Sequence, residues 1–241
     1  MREGQLTMKK SKRRSKKTLK KRLVSYAAIT CFALFAASIL LTLPLRWFNP
    51  ITTAFILQEQ IEDRKLISLN WVPYADIADT LAISIVASED QKFPDHYGFD
   101  FTSISKALNE DIEQTRGAST ITQQLVKNIY LWSGRSYFRK GMEAYLAVLI
   151  ECFLPKRRIL EIYLNVVEFA PAVYGIGRAS RVLFDRSPGQ ISAHQAALLA
   201  AVLPNPKGLS AKYPSQYVLR RAQQIQVAVR SLGGPGYLRN L

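Results

Sequence analysis

Residues Leu23 to Leu45 form a run of twenty-three residues without a charge. At 1.5 Å of rise per residue a helix of that length crosses a hydrocarbon core of roughly 30 Å. A cleaved signal peptide has an apolar region of only about 7–15 residues, so the run reads as a retained anchor. Residues 1–22 hold eleven Lys or Arg against the single acid Glu3. That tail therefore carries +10 of the chain's net +15, and the remainder only +5. A basic flank before a span places the N-terminus on the cytoplasmic side and everything after about residue 46 on the other. The tail suits anionic lipid. It lacks the interleaved aromatics and zinc-ligand spacing of a nucleic-acid reader, so no nucleic-acid partner is expected. The expected organisation is a basic tail over 1–22, a transmembrane anchor over 23–45 and one domain over 46–241.

The apolar run Leu81 to Ala87 ends in two adjacent carboxylates, Glu89 and Asp90, followed by Phe93, His96 and Gly98. An acid at the end of a packed helix is held at a cleft wall, where partial burial raises its pKa into the range of a general base. Further on, Arg116-Gly117-Ala118-Ser119-Thr120-Ile121-Thr122-Gln123-Gln124-Leu125-Val126-Lys127-Asn128 reads as a turn, an N-cap and an amphipathic helix. Ile121, Leu125 and Trp132 fall near one face, and Gln123 and Lys127 share another. Free N–H groups at the helix start, beside an amide and an ammonium, suit a phosphorylated or sugar ligand.

Helices are expected near 77–88, 101–113, 119–132, 138–153, 156–167, 172–183, 191–202 and 214–231, with a further one from Phe55 to Glu62. Leu66 to Val72 partly alternates and reads as a short strand. The fold class is mainly α. Cys31 and Cys152 form no disulfide framework, and Cys152 reads as a small core residue. His96 and His194 are too few and too separated for a His-based metal site.

With Arg139-Lys140-Gly141-Met142-Glu143, Lys156 through Asn165, and Ala196 through Pro206, the two motifs form an ordered set of five over about residues 70 to 210. The set resembles the peptidoglycan glycosyltransferases of glycosyltransferase family 51, and the single domain resembles its monofunctional biosynthetic transglycosylases. The resemblance implies a lysozyme-like, two-lobed domain after one transmembrane helix, in the bacterial inner membrane with the domain in the periplasm. It implies inverting polymerisation of lipid II into β-1,4 glycan with release of undecaprenyl pyrophosphate. Glu89 then matches the base and Glu143 the second carboxylate, acting directly or through a metal. Lys127 and Arg135 match the pyrophosphate cations. Ser119, Thr120, Gln123, Gln124 and Asn128 line the cleft, with Arg116 and Lys140 as further cations. No cofactor is required, although a divalent ion such as Mg2+ at Glu143 is compatible. The implied partners are lipid II, the growing lipid-linked glycan chain, membrane lipids and proteins of cell-wall synthesis or division.

His96 matches a family position and reads equally as a structural group. Glu161, Tyr163 and Asn165 read as fold support, with Arg157 paired to Glu161 across one turn. The fifth motif reads as a buried Ala/Leu helix ended by Pro204. The family's Gly-Pro-Gly becomes Ala170-Pro171-Ala172 here, and a later aromatic pair becomes Leu183-Phe184, which puts the local acceptor-side geometry in question. Ser103-Ile104-Ser105-Lys106 has a transpeptidase spacing, but no Lys-Thr-Gly follows it, so no transpeptidase activity is expected. Two other readings stay open: a lytic transglycosylase that cleaves finished glycan, and a catalytically silent membrane scaffold.

Overall fold

The computed structural model describes residues 2–64, 66–102, 105, 119–134 and 136–241, with 2–19 as backbone alone. Arg116, Arg135, Ser103 and Lys106 lie outside the described residues, as does most of the helix expected over 101–113. The chain divides into two units, 1–42 and 43–241.

The first unit is one helix, α1 (Arg2–Thr42). The stretch Lys20–Arg46 is long and apolar enough to cross a membrane. Leu23, Val24, Tyr26, Ile29, Phe32 and Leu34 are all exposed on α1. An apolar surface of this kind is unfavourable in water and favourable against lipid tails. Pro44 lacks an N–H and disfavours helical backbone at Leu43, so α1 stops at Thr42 and a tighter turn, Leu43–Arg46, follows.

The second unit holds α2 (Ala54–Asp63), α3 (Asp79–Glu89), α4 (Ile121–Tyr130), α5 (Tyr137–Phe153), α6 (Lys156–Val166), α7 (Ile176–Phe184), α8 (Ala193–Val202) and α9 (Gln216–Ser231). It is mainly α, as expected, and its helices form two groups. In one, α3 packs against α8 and α9; in the other, α4 packs against α5 and α6. Every residue of α3 from Leu81 to Ala87 is buried, so this helix is enclosed on all sides. Burying each of Leu81, Ile83, Ile85 and Val86 contributes roughly 1.5–3 kcal/mol. The small side chains of α8, buried from Ala196 to Val202, let it lie close beside α3. The fifth motif is thus the buried Ala/Leu helix that was expected.

The segment 66–73 is neither helix nor strand and pairs with no strand among the described residues. Its backbone bonds a side chain instead: Val72 N–H donates to Asn165 Oδ1 at 2.7 Å, and Asn165 Nδ2 donates to Val72 O at 2.9 Å and to Glu161 O at 2.9 Å. Asn165 is buried and supports the fold as expected. Arg157 does not pair with Glu161: its guanidinium lies 4.9 Å over the Tyr74 ring, while Arg158 Nη1 sits 3.2 Å from Glu161 Oε2. Cys152 is exposed rather than in the core, because the buried stripe of α5 runs through Glu143, Leu146, Ala147 and Ile150 and leaves position 152 off that face.

The helix expected over 172–183 begins later, after an antiparallel hairpin of β1 (Glu168–Ala170) and β2 (Val173–Tyr174). Gly175 separates β2 from α7 at φ +74, where an added Cβ would lie 2.3 Å from Asn165 O. Tyr174 OH donates to Glu59 of α2, and Lys207 Nζ lies 3.3 Å from Glu59 Oε1 and 3.9 Å from Glu168 Oε1. Burial pushes the Glu168 carboxyl up to about 7, against the pull of Lys207. These contacts tie the hairpin to α2.

Ala172 holds φ +58 at the hairpin turn, where the family pattern has glycine. A side chain in that left-handed region costs roughly 1–2 kcal/mol. Ala172→Gly removes the clash, but the added freedom of the unfolded chain offsets part of the gain. The variant is expected to unfold at a higher denaturant midpoint with an unchanged slope, a net gain of about 0.5–1 kcal/mol. Equal or lower stability in a urea titration would show that the turn carries no such strain.

Candidate active site

Glu89 is the last residue of α3, half-buried where the enclosed helix reaches open space. Its Oε2 accepts from Gln124 Nε2 at 2.8 Å and its Oε1 accepts from Ser88 Oγ at 3.2 Å. Burial pushes its pKa above the usual carboxylate value, while those two donors and the Arg221 guanidinium pull the other way. The acid at a packed helix end is therefore where the sequence placed it.

The start of α4 is built differently from the expectation. Thr120 Oγ1 accepts from Gln123 N–H at 3.3 Å, and Gln123 Oε1 accepts from Thr120 N–H at 3.0 Å, which closes a capping box. Thr120 Oγ1 also donates to Gly98 O at 2.7 Å. Thr120 and Gln123 are buried, and these hydrogen bonds are taken up by the cap. Ile121 N–H donates to Asp90 Oδ2 at 3.0 Å, so a second helix-end donor expected to be free for phosphate is also taken. His96 Nε2 donates to the same carboxylate at 2.9 Å, which makes His96 a structural group. Gln124 faces Glu89, and its Oε1 accepts from Tyr163 OH at 2.8 Å. Both ends of its amide are thus engaged within the protein. Ser119 is half-buried just before the cap, and Asn128 is 8% exposed one turn on from Gln124.

Lys127 is half-buried on α4 with its Nζ 5.5 Å above the Phe55 ring. Burial lowers its pKa; Glu143 and Glu89 raise it again, while Arg139 and Lys140 add to the lowering. All four of these charges thus lie within electrostatic reach of Lys127. Glu143 is buried on α5, with Arg139 Nη1 at 3.1 Å from one oxygen and Lys140 Nζ at 2.5 Å from the other. These are the i,i+4 and i,i+3 neighbours that helical spacing places on one face. Arg139 Nε is buried with no hydrogen-bond partner among the described residues.

The donor set does not fit a resident divalent ion. Both Glu143 oxygens already face cations, and no group of three or more His, Cys, Asp or Glu side chains converges among the described residues. In this structure the Glu143 carboxylate pairs with Arg139 and Lys140.

Three residues escaped the sequence reading of the site. Arg139 was visible only as a member of the motif Arg139-Lys140-Gly141-Met142-Glu143. Arg221 lies on α9, beyond the fifth motif, and reaches Glu89 because α9 packs on α3. Tyr163 was visible only as fold support, because its bond to Gln124 joins two helices distant in the chain.

A carboxylate of raised pKa beside an excess of cations suits deprotonation of a hydroxyl while an anionic group departs. A family model described as Transglycosylase matches residues 57–229, which contain all of these groups. The chain is 46% identical over 215 residues to a protein of Stutzerimonas stutzeri, covering 86% of this chain and 89% of the other. It is 49% identical over 211 residues to a protein of Pseudomonas fluorescens, covering 85% and 88%. A Pseudomonas syringae relative is 47% identical over 213 residues, covering 86% and 90%. All three are named biosynthetic peptidoglycan transglycosylase. With the acid at the end of α3, the cation cluster of α4 and α5 and the matched span around them, this chain belongs to the transglycosylase family.

Proposed function

We propose that the chain polymerises lipid II into β-1,4 glycan strands of peptidoglycan and releases undecaprenyl pyrophosphate. The observation that carries this reading is the pairing of a half-buried Glu89 with the Lys127, Arg139, Lys140 and Glu143 cluster. A hydrolase of finished glycan has no leaving diphosphate and no need of those cations. The 4-hydroxyl of lipid II attacks the anomeric carbon of the growing chain's reducing-end sugar. The new C–O bond forms on the face opposite the departing pyrophosphate, so an α-linked donor gives a β product. The hydroxyl proton passes to the Glu89 carboxylate, and the electron pair of the broken bond leaves on the pyrophosphate oxygen. Lys127, with Arg139 and Lys140 held by Glu143, stabilises that charge. Arg135 and Arg116 have the same role by resemblance, and Ser119 and Asn128 contact sugar or phosphate. No metal step is needed in this scheme.

The N-terminal helix has the length and composition of a membrane anchor, and its basic flank supports a cytoplasmic N-terminus with the catalytic unit on the periplasmic side. A lipid-linked donor and acceptor are membrane-bound, so the anchor keeps the enzyme at its substrates. Further partners are proteins of cell-wall synthesis or division.

Glu89→Gln keeps the shape of the side chain and removes the base. Polymerisation of labelled lipid II in detergent should fall by about 10²-fold or more. The parent rate should climb with pH through a limb above the ordinary carboxylate range, because the base works only when ionised. Burial favours the neutral carboxyl in the folded state, so the ionised form weakens folding as pH rises through the folded pKa. The variant should therefore melt higher than the parent at neutral pH, and this advantage should shrink on acidification. Near-parental turnover would remove Glu89 as the base. A parent protein that ignores lipid II but cleaves finished glycan would be lytic.

Lys127→Met keeps helix propensity and most of the side-chain volume. Its loss of transition-state stabilisation should be roughly 2–4 kcal/mol, seen mainly in kcat, with weaker binding of diphosphate mimics. A folded variant working at the parent rate would take the pyrophosphate away from this cleft.

Protease added to spheroplasts should degrade the catalytic unit and leave a small protected N-terminal fragment. A fully protected chain, or a mature protein starting beyond residue 45, would overturn the orientation.

A further inference from the structure

We infer that Tyr163 is a positioning residue for the base: its phenol anchors the Gln124 amide by its oxygen and so holds the amide NH2 on Glu89. This rests on the proposed role of Glu89. Tyr163 OH donates to Gln124 Oε1 at 2.8 Å, and Gln124 Nε2 donates to Glu89 Oε2 at 2.8 Å. The relay joins α6, α4 and α3, the three helices that meet at the base.

The direction of each bond follows from the chemistry of its ends. An ionised carboxylate only accepts, so the amide must turn its NH2 to Glu89. The amide oxygen then faces α6, and a donor is needed there. Tyr163 is fully buried and supplies it. Burial, with the nearby charges of Glu89 and Asp90, holds this phenol well above its usual pKa, so it keeps its proton throughout the working range. A phenylalanine would fill the same space and leave the amide oxygen without its donor. The hydroxyl thus acts on how firmly Gln124 is held, and through it on the donor that meets Glu89 Oε2.

The other groups facing Glu89 are Ser88 and Asp90 beside it, Lys127 on α4 and Arg221 on α9. None of them replaces the Gln124 donor on Oε2. Without that donor, burial raises the carboxyl pKa against only the Ser88 bond and the Arg221 charge. Its proton would then be lost at a higher pH.

The test is the pH profile of lipid II polymerisation by full-length Tyr163→Phe in detergent, with Gln124→Met and Glu89→Gln alongside. The acid limb should move up by about half to one pH unit in Tyr163→Phe, a three- to tenfold loss of rate on the limb. The plateau rate at high pH should change by less than about threefold. Gln124→Met should move the limb the same way, and the double variant should move it no further. A tyrosine serving only the core would lower the melting temperature and scale the whole profile without displacing the limb. A folded Tyr163→Phe protein with the parent limb overturns the inference while leaving the base assignment intact, provided Glu89→Gln is inactive. An active Glu89→Gln overturns the base assignment itself. Should Tyr163→Phe be too unstable to assay, Gln124→Met decides: a parent limb overturns the inference, and a raised one supports it.

Discussion

The carboxylate of Asp90 accepts from His96 Nε2 at 2.9 Å and from Ile121 N–H at 3.0 Å; the first ties down the loop after α3, and the second joins the end of α3 to the start of α4. Asp90 is buried, so the contacts are made away from competing water. A carboxylate at a helix N-terminus also meets the positive end of the helix dipole. Glu89 precedes Asp90 directly, and Lys127 lies two turns into α4. One side chain therefore fixes the frame in which acid and cation face each other. The Tyr237 phenol braces the same loop from the C-terminal end, donating to Gln91 O at 2.9 Å and Asp95 Oδ2 at 3.1 Å.

This frame opposes a real cost. Glu89 and Lys127 are both partly desolvated, and each is pushed towards its neutral form by that burial. Neither is favoured by folding alone. The offset comes from the enclosed α3, from α8 packed beside it and from the capping box that starts α4. Asn165 adds to it by bonding both backbone groups of Val72, since leaving such a buried group unpaired costs about 1–3 kcal/mol. Stability is thus concentrated around the groups that function requires to be unstable.

The sequence disclosed much of this, unevenly. Apolar runs and caps located α3, α4, α8 and α9 closely, because a helix encodes its own boundaries in neighbouring residues. The Leu66–Val72 strand failed because alternation cannot reveal that the hydrogen-bond partner is an asparagine side chain some ninety residues away. The hairpin before α7 was hidden because β2 falls inside the helical pattern and β1 is only three residues in the short gap before it. At the site, residue types were legible but their allocation was not. Thr120, Gln123 and Gln124 are polar in the right motif, yet their hydrogen bonds are made inside the protein. Arg221 carried no local signal and Tyr163 only that of fold support, because only packing brings α9 and α6 to the end of α3.

The allocation of charge bears on why such a site favours transfer from a diphosphate. Among the described residues Lys127 lies within electrostatic reach of Arg139 and Lys140 and of the two acids Glu89 and Glu143. With both acids ionised the positive charges exceed the negative by one. Under the proposed roles, Glu89 takes a proton as the hydroxyl attacks, and the excess becomes two. The leaving pyrophosphate gains negative charge in that same step. The site thus becomes more positive as its ligand becomes more negative, which is stabilisation given to the transition state rather than to the bound substrate. Glu143 matters here because it holds Arg139 and Lys140 in place without cancelling both. A glycan hydrolase, whose leaving group is a neutral sugar hydroxyl, would gain nothing from that coupling.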